Sequence, residues 1–326
     1  MGKRALICGI SGQDGGYLAE RLLGAGYEVW GSSRDADLGG FENLHRLGIY
    51  DAVRLVSLNP RDTGRTIAVL RQSRPDEVFS LAGQSSVGLS FEQPVETMES
   101  IALGTVGLLE AIRLTDPEIR FYNAGSTECF GDTGDGVANE DSQFHPRSPY
   151  GVAKASACWA VANYREAYGI FACSGILSNH DSPFRPRRFV TRKIIHAVAS
   201  LGLGKDVNLT LGNLEIERDW GWAPDYVDAI ARMLEQSSAR DLVIATGQSH
   251  TLTEFVDTAF RLIGRDWREH VTLVESLRRP TDIVRNKVDP SRAAAVLGWK
   301  AKHGMKEVIA MMLEAERKSL REERAG

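Results

Sequence analysis

The chain has 326 residues, of which 43% are hydrophobic and 25% charged, with a formal net charge of −4. That length and balance predict two domains, or one domain with an appended lobe, and exclude global disorder and a coiled-coil rod. The mild acidity supplies no basic field for nucleic acid or an acidic membrane face, and no run approaches the roughly 18 apolar residues of a membrane span, so neither partner is expected.

The N-terminus runs straight into an apolar segment, Ala5–Cys8, that stops at Gly9. No signal peptide is expected there, because no long apolar stretch precedes a cleavage site. Tyr17–Leu23 has helical spacing at Leu18, Leu22 and Leu23, and Glu28–Gly31 reads as a second strand. Strand, helix and strand within some thirty residues form a βαβ unit. The rhythm continues with strands at Val53–Leu58, Val78–Leu81 and Arg120–Ala124, and helices at Thr66–Arg71 and Val106–Ile112. Such alternation predicts an α/β fold of Rossmann type, a doubly wound parallel sheet covered on both faces. We place this dinucleotide domain at residues 1–180 and a smaller C-terminal α/β substrate lobe at 181–326, with segments near 219–236 returning to the first domain. In the second lobe, Asn208–Leu211 and Leu242–Ala245 read as strands, and Thr253–Leu262 and Met305–Arg317 as helices. The charged tail Glu316–Gly326 is expected to fray.

Cys8, Cys129, Cys158 and Cys173 are widely spaced, without a CxxC pair, and the histidines are scattered. A disulfide framework and a metal site are therefore not expected, and a reducing cytoplasm fits best.

Chemistry enters at the first turn, Gly9-Ile10-Ser11-Gly12-Gln13-Asp14-Gly15-Gly16. Glycines at this spacing let the backbone approach a pyrophosphate at a helix N-terminus. Alone the loop would also suit an ordinary strand–helix turn; its position between a clear strand and a clear helix favours the nucleotide. The second strand ends in Ser33 and Arg34, not in the acidic residue that binds the ribose of NAD. Hydroxyls beside a guanidinium suit a 2′-phosphate, which favours NADP over NAD; a solvated Arg34 is the alternative.

Tyr150 and Lys154 stand four residues apart in a segment that opens at Pro149, on one helical face. A phenol of ordinary pKa near 10 is a poor base, and a neighbouring ammonium favours its phenolate. Ser126 and Glu128 follow the strand Arg120–Ala124, where ligands of parallel sheets bind. Ser126 with Thr127 also suits a helix cap, and Glu128 a solvated acid.

The segments GISGQDGGYLAE, SLAGQSSVGLSFEQP, FYNAGSTECFG, HPRSPYGVAK, GILSNHDSP, RDWG and RRPTDI, in this order, resemble the extended short-chain dehydrogenase/reductases, and among them the GDP-mannose 4,6-dehydratase family. The resemblance runs nearly end to end. It implies bound NADP, a GDP-sugar substrate, loss of water from that sugar, and homodimers or homotetramers built on a helical bundle. Tyr150, held by Lys154, would take the 4-hydroxyl proton as C4 gives up its hydride. Ser126 would orient that hydroxyl. Glu128 would remove the C5 proton and then help the 6-hydroxyl leave. The cofactor would be held by the glycine loop, Ser33, Arg34, Asn59, Leu81, Ala82, Gly83, Ser85, Tyr150, Lys154, His180 and Arg185. The sugar nucleotide would meet Ser85, Asn123, Ser126, Asn179, Val190, Lys193, Asn213, Arg218 and Arg279, although Asn213 also suits a simple turn.

The chain departs from that family at several places. Ser126 stands where threonine is commoner, and Asn59 where an aspartate contacts adenine. Asp35-Ala36-Asp37 replaces a basic pair used in tetramers, which favours a dimer. Asp181 within NHDSP and the segment RPTDI differ from the family's commoner forms, and both are compatible with a larger sugar such as a GDP-mannoheptose. A nucleotide-sugar reductase or epimerase is the alternative reading, against which Glu128 and RDWG argue.

Overall fold

The computed structural model describes residues 2–277 and 280–325. In chain order the strands are β1 Arg4–Cys8, β2 Glu28–Ser33, β3 Val53–Ser57, β4 Glu77–Ser80, β5 Arg120–Ala124 and β6 Ala172–Leu177. They are followed by β7 Asn179–Asp181, β8 Leu209–Leu211, β9 Glu217–Trp222, β10 Leu242–Ile244, β11 Ser249–Thr251 and β12 Val271–Leu273. Seven of them form one sheet in the order β10-β6-β5-β4-β1-β2-β3. Every neighbouring pair in it is parallel.

Alternation along the strands builds the layers. Ile7, Phe79 and Tyr122 face one way, packing with Leu18 and Leu22 of helix Gln13–Gly24 and Ile230 of helix Ala223–Leu234. Their neighbours Leu6, Val78 and Phe121 face the other way, toward Val69 of helix Thr63–Ser73 and Leu108 of helix Gly104–Thr115. Successive side chains of a strand point to opposite faces, so strands covered twice are apolar throughout. The strand order reverses between β1 and β4, which opens a crevice at their carboxyl ends.

The smaller lobe holds the β11-β9-β7 and β12-β8 sheets. Helices Val190–Gly202, Leu252–Arg261 and Met305–Ala325 close it around Trp220, Phe255, Phe260, Ile309 and Met312. Each such buried side chain contributes about 1.5–3 kcal/mol.

Two sequence expectations need correction. Leu242–Ala245, read with the second lobe, supplies β10, which pairs with β6 and completes the main sheet. The charged tail does not fray at Glu316; the last helix continues to Ala325. Leu320 is buried, and Glu316, 3% exposed, pairs with Arg192 Nη1 as an ion pair and with His196 Nδ1 in a hydrogen bond, both at 2.7 Å. Those contacts anchor a surface that composition alone marks as solvated. Among the described residues no helix is long and apolar enough to cross a membrane, and no cluster of His, Cys, Asp and Glu could hold a metal ion.

Candidate active site

The crevice carries two adjoining cavities that share Asp14, Leu81, Ser85, Arg185 and Phe189. The first, of about 660 Å³, runs over the glycine loop. Gly9 sits at φ +89°, and a Cβ there would lie 2.8 Å from the Ala82 amide nitrogen. A Cβ on Gly15 would lie 2.4 Å from the Gly9 carbonyl oxygen. Only glycine fits these positions. Gly12 caps helix Gln13–Gly24 with extended backbone and no side-chain cap, so the first helical amides face the cavity. This bare cradle fits a dinucleotide pyrophosphate. Ser11, Ser33, Arg34, Asn59, Ala82 and Gly83 complete its walls, as the sequence suggests.

Gln13 and Asp14 tie this loop to the second lobe. Gln13 Nε2 donates to the His180 carbonyl at 3.2 Å, and its Oε1 accepts from Ser182 Oγ at 2.8 Å. Asp14 Oδ2 lies 3.0 Å from His180 Nε2. Burial pushes the Asp14 carboxyl up, but His180, Gln13 and Arg185 outweigh it and hold the group at about 2. Burial pushes His180 down, while Asp14 more than compensates and raises it. Tyr226 stacks on the His180 ring at 4.6 Å, and Ser178 O receives Nδ1 at 2.8 Å. These contacts fix the imidazole, which lines the second cavity and not the one over the glycine loop.

The second cavity, of about 390 Å³, gathers Ser126, Glu128, Tyr150 and Lys154. Ser126 leaves β5 and caps the short turn Thr127–Cys129, its Oγ accepting from the Glu128 amide at 3.3 Å. The sequence offered a cap or a substrate ligand for Ser126; the side chain does the first while lining the cavity. Helix Pro149–Tyr168 begins with Pro149 after Ser148, whose Oγ accepts from Gly151 N at 3.0 Å. One turn separates Tyr150 from Lys154. The Lys154 ammonium donates to the Ala124 carbonyl at 2.6 Å and lies 5.7 Å from the Tyr150 ring centroid. Burial pushes the Tyr150 phenol well up, with Ser126 opposing, and burial lowers Lys154.

Glu128 is 8% exposed, and its Oε1 lies 3.7 Å from Nε of Arg218, itself 3% exposed on β9. Ser85, Asn179, Val190 and Lys193 line the same cavity, and the Lys193 ammonium donates to Thr210 O at 2.8 Å. Two expected substrate contacts stand apart from both cavities. Asn123 is buried in β5 behind the wall, donating to Ser174 Oγ at 3.1 Å. Asn213 Oδ1 accepts from Glu215 N at 3.0 Å, the turn role. Arg279 lies outside the described residues.

Sequence reasoning missed Asn286. Its buried amide donates to Thr127 O at 3.0 Å and Gly131 O at 3.1 Å, clasping the turn that carries Glu128. Lying 159 residues from Thr127, it gives no local signal. Also missed was a π turn, Glu99–Leu103, which interrupts the helical run from Pro94 to Thr115 and brings Ser100 to the cofactor cleft.

A parallel sheet whose order turns beside a glycine loop, with a Tyr–Lys pair at its strand ends, is the architecture of the extended short-chain dehydrogenase/reductases. Solved structures share the fold. DesIV, a dTDP-glucose 4,6-dehydratase of Streptomyces venezuelae with NAD and TYD bound, matches 97% of this chain and 97% of its own at TM-score 0.87 and 23% identity. RMD from Pseudomonas aeruginosa, complexed with NADPH, matches 97% of this chain and 99% of its own at TM-score 0.79 and 21% identity.

Sequence narrows the class. The family model described as GDP-mannose 4,6 dehydratase matches residues 6–312. GDP-mannose 4,6 dehydratase 1 of Arabidopsis thaliana is 42% identical over 324 residues, spanning 96% of this chain and 90% of that protein. The Vibrio cholerae GDP-mannose 4,6-dehydratase is 38% identical over 347 residues, spanning 96% and 93%. This chain belongs to the GDP-mannose 4,6-dehydratase family.

Proposed function

We propose that the chain is a nucleotide-sugar 4,6-dehydratase that converts a GDP-hexose to its 4-keto-6-deoxy form plus water, with NADP as the resident cofactor. The observation that carries this reading is the buried Glu128 lining one cavity with Tyr150, Lys154 and Ser126. A simple reductase or epimerase needs a proton relay at one carbon; a second acid–base group beside it serves an elimination.

A nicotinamide reaching from the first cavity into the second, where Tyr150 and Lys154 lie, would supply a hydride acceptor that can also return the hydride. The protein's residues do the rest. Tyr150 acts as its phenolate, which the Lys154 ammonium favours against the burial that disfavours it; it accepts the 4-hydroxyl proton as that oxygen becomes a ketone. Ser126 orients the hydroxyl. The ketone acidifies the C5 proton, which Glu128 removes; the same carboxyl then protonates the departing 6-hydroxyl, and the proton held by Tyr150 goes to C5. Arg218 and Lys193 offer donors to a diphosphate. Ser33 and Arg34, in place of an acidic residue after β2, support NADP over NAD. Four free, buried cysteines suit a reducing cytoplasm.

The test is incubation with GDP-mannose and no added reductant, followed by mass spectrometry. Loss of one water with a 4-keto product is expected, and Glu128→Gln should slow it by roughly 10²–10⁴. Net reduction, simple inversion at C4, or an undiminished Glu128→Gln protein would sink the reading. A parallel arm with GDP-mannoheptose decides between six- and seven-carbon sugars.

A further inference from the structure

The outer end of the cofactor cleft carries a second arginine. Arg34 and Arg61 both line it, on the loops that follow β2 and β3. Between them stands Glu96, which also lines the cleft. Arg34 Nη1 lies 3.6 Å from Glu96 Oε1, and Arg61 Nη1 lies 4.0 Å from Glu96 Oε2. Two guanidinium groups therefore converge on the two oxygens of one carboxylate. The same Arg61 Nη1 also pairs with Glu99, the first residue of the π turn. Asp35, the acid nearest in sequence, is turned to its own loop, its Oδ1 accepting from Asp37 N at 3.0 Å and Leu38 N at 2.9 Å.

We propose that Arg61 is a second cofactor-specificity residue that clamps the ribose 2′-phosphate together with Arg34, and that Glu96 holds both guanidinium groups ready and competes with that phosphate. The inference rests on the NADP reading above. A phosphate monoester presents several oxygens and nearly twice the charge of a carboxylate, so it outcompetes Glu96 for the pair. The Arg34, Arg61 and Glu96 side chains are 82%, 37% and 41% exposed. Ion pairs that open to solvent are worth little, so exchanging Glu96 for a phosphate costs little. A cofactor with a bare 2′-hydroxyl gains nothing from the exchange, and the clamp discriminates for that reason.

The experiment is titration of the purified protein with NADP+ and NAD+ by calorimetry, on wild type, Arg61→Met, Arg61→Lys and Glu96→Gln. Arg61→Met should weaken NADP+ by roughly ten-fold, the value of one charge-assisted contact, and leave NAD+ within about two-fold. Arg61→Lys should recover part of that loss. Glu96→Gln should tighten NADP+ by about three-fold without affecting NAD+. A parallel loss of both dinucleotides in Arg61→Met overturns the clamp and leaves the NADP reading intact. A wild type that binds both equally overturns that reading and the clamp with it. Should Arg61→Met fail to fold, Glu96→Gln decides: unchanged or weaker NADP+ binding rejects the proposal.

Discussion

At the scale of single residues, the site is organised by charges whose partners lie far away in the chain. Asp14 and His180 are the clearest case, one from the glycine loop and one from β7. The depressed Asp14 contributes stability above its ordinary value of 3.8, and this is lost only as pH falls toward about 2. The raised His180 contributes below its ordinary value of 6.5, and this is lost as pH rises through the higher folded value. The pair thus stabilises the join of the two lobes most fully between roughly pH 4 and 6.5. Asp14→Asn removes the cause of the His180 shift. Melting temperatures measured from pH 6 to 9 should fall more steeply in wild type than in Asp14→Asn; parallel curves would show that the pair is not coupled to folding.

At the scale of elements, two helices carry apolar side chains that none of the other described residues covers. Leu103, Val106 and Leu114 are 57%, 37% and 52% exposed, and at their spacing they share one face of the run from Pro94 to Thr115. Val152 and Trp159, 42% and 58% exposed, share a face of the neighbouring helix Pro149–Tyr168. Exposed apolar stripes on two helices that pack side by side suit a two-fold partner that presents the same surface. We infer a homodimer that buries it, and Tyr150 and Lys154 lie on the same helix as the seam. The double variant Leu103→Glu, Trp159→Glu should shift the light-scattering mass from twice 35.8 kDa to the monomer. A wild type that already runs as a monomer would refute this. Sequence made these helices legible because their buried positions repeat on one face. It did not mark the π turn, because residues 99–103 keep ordinary helical composition and the widening is a packing response next to the cleft.

At the scale of the whole molecule, the legible parts of the site are those that are local in sequence. The glycine loop and the Tyr150–Lys154 pair are read within one turn or one helix, and the structure brings them to one crevice. What stayed hidden is long-range. Asn123 is a site residue by the resemblance alone, and strand alternation turns it into the core. Asn286 reads as nothing, yet it spans the lobes and holds the turn behind Glu128. That placement makes a specific demand. Asn286→Ala leaves the buried Gly131 carbonyl without its donor and takes one of two donors from the Thr127 carbonyl, which keeps Phe130 N, at a cost of about 1–3 kcal/mol. The glycine loop is not attached to that turn, so dinucleotide binding should survive while the Glu128 carboxyl loses its fixed position. The unfolding free energy from denaturant titration should drop by that amount and kcat for water loss should fall more than ten-fold, with the NADP+ dissociation constant within about two-fold of wild type. A dinucleotide affinity that falls as far as kcat would mean that Asn286 braces the entire crevice and not the elimination step alone.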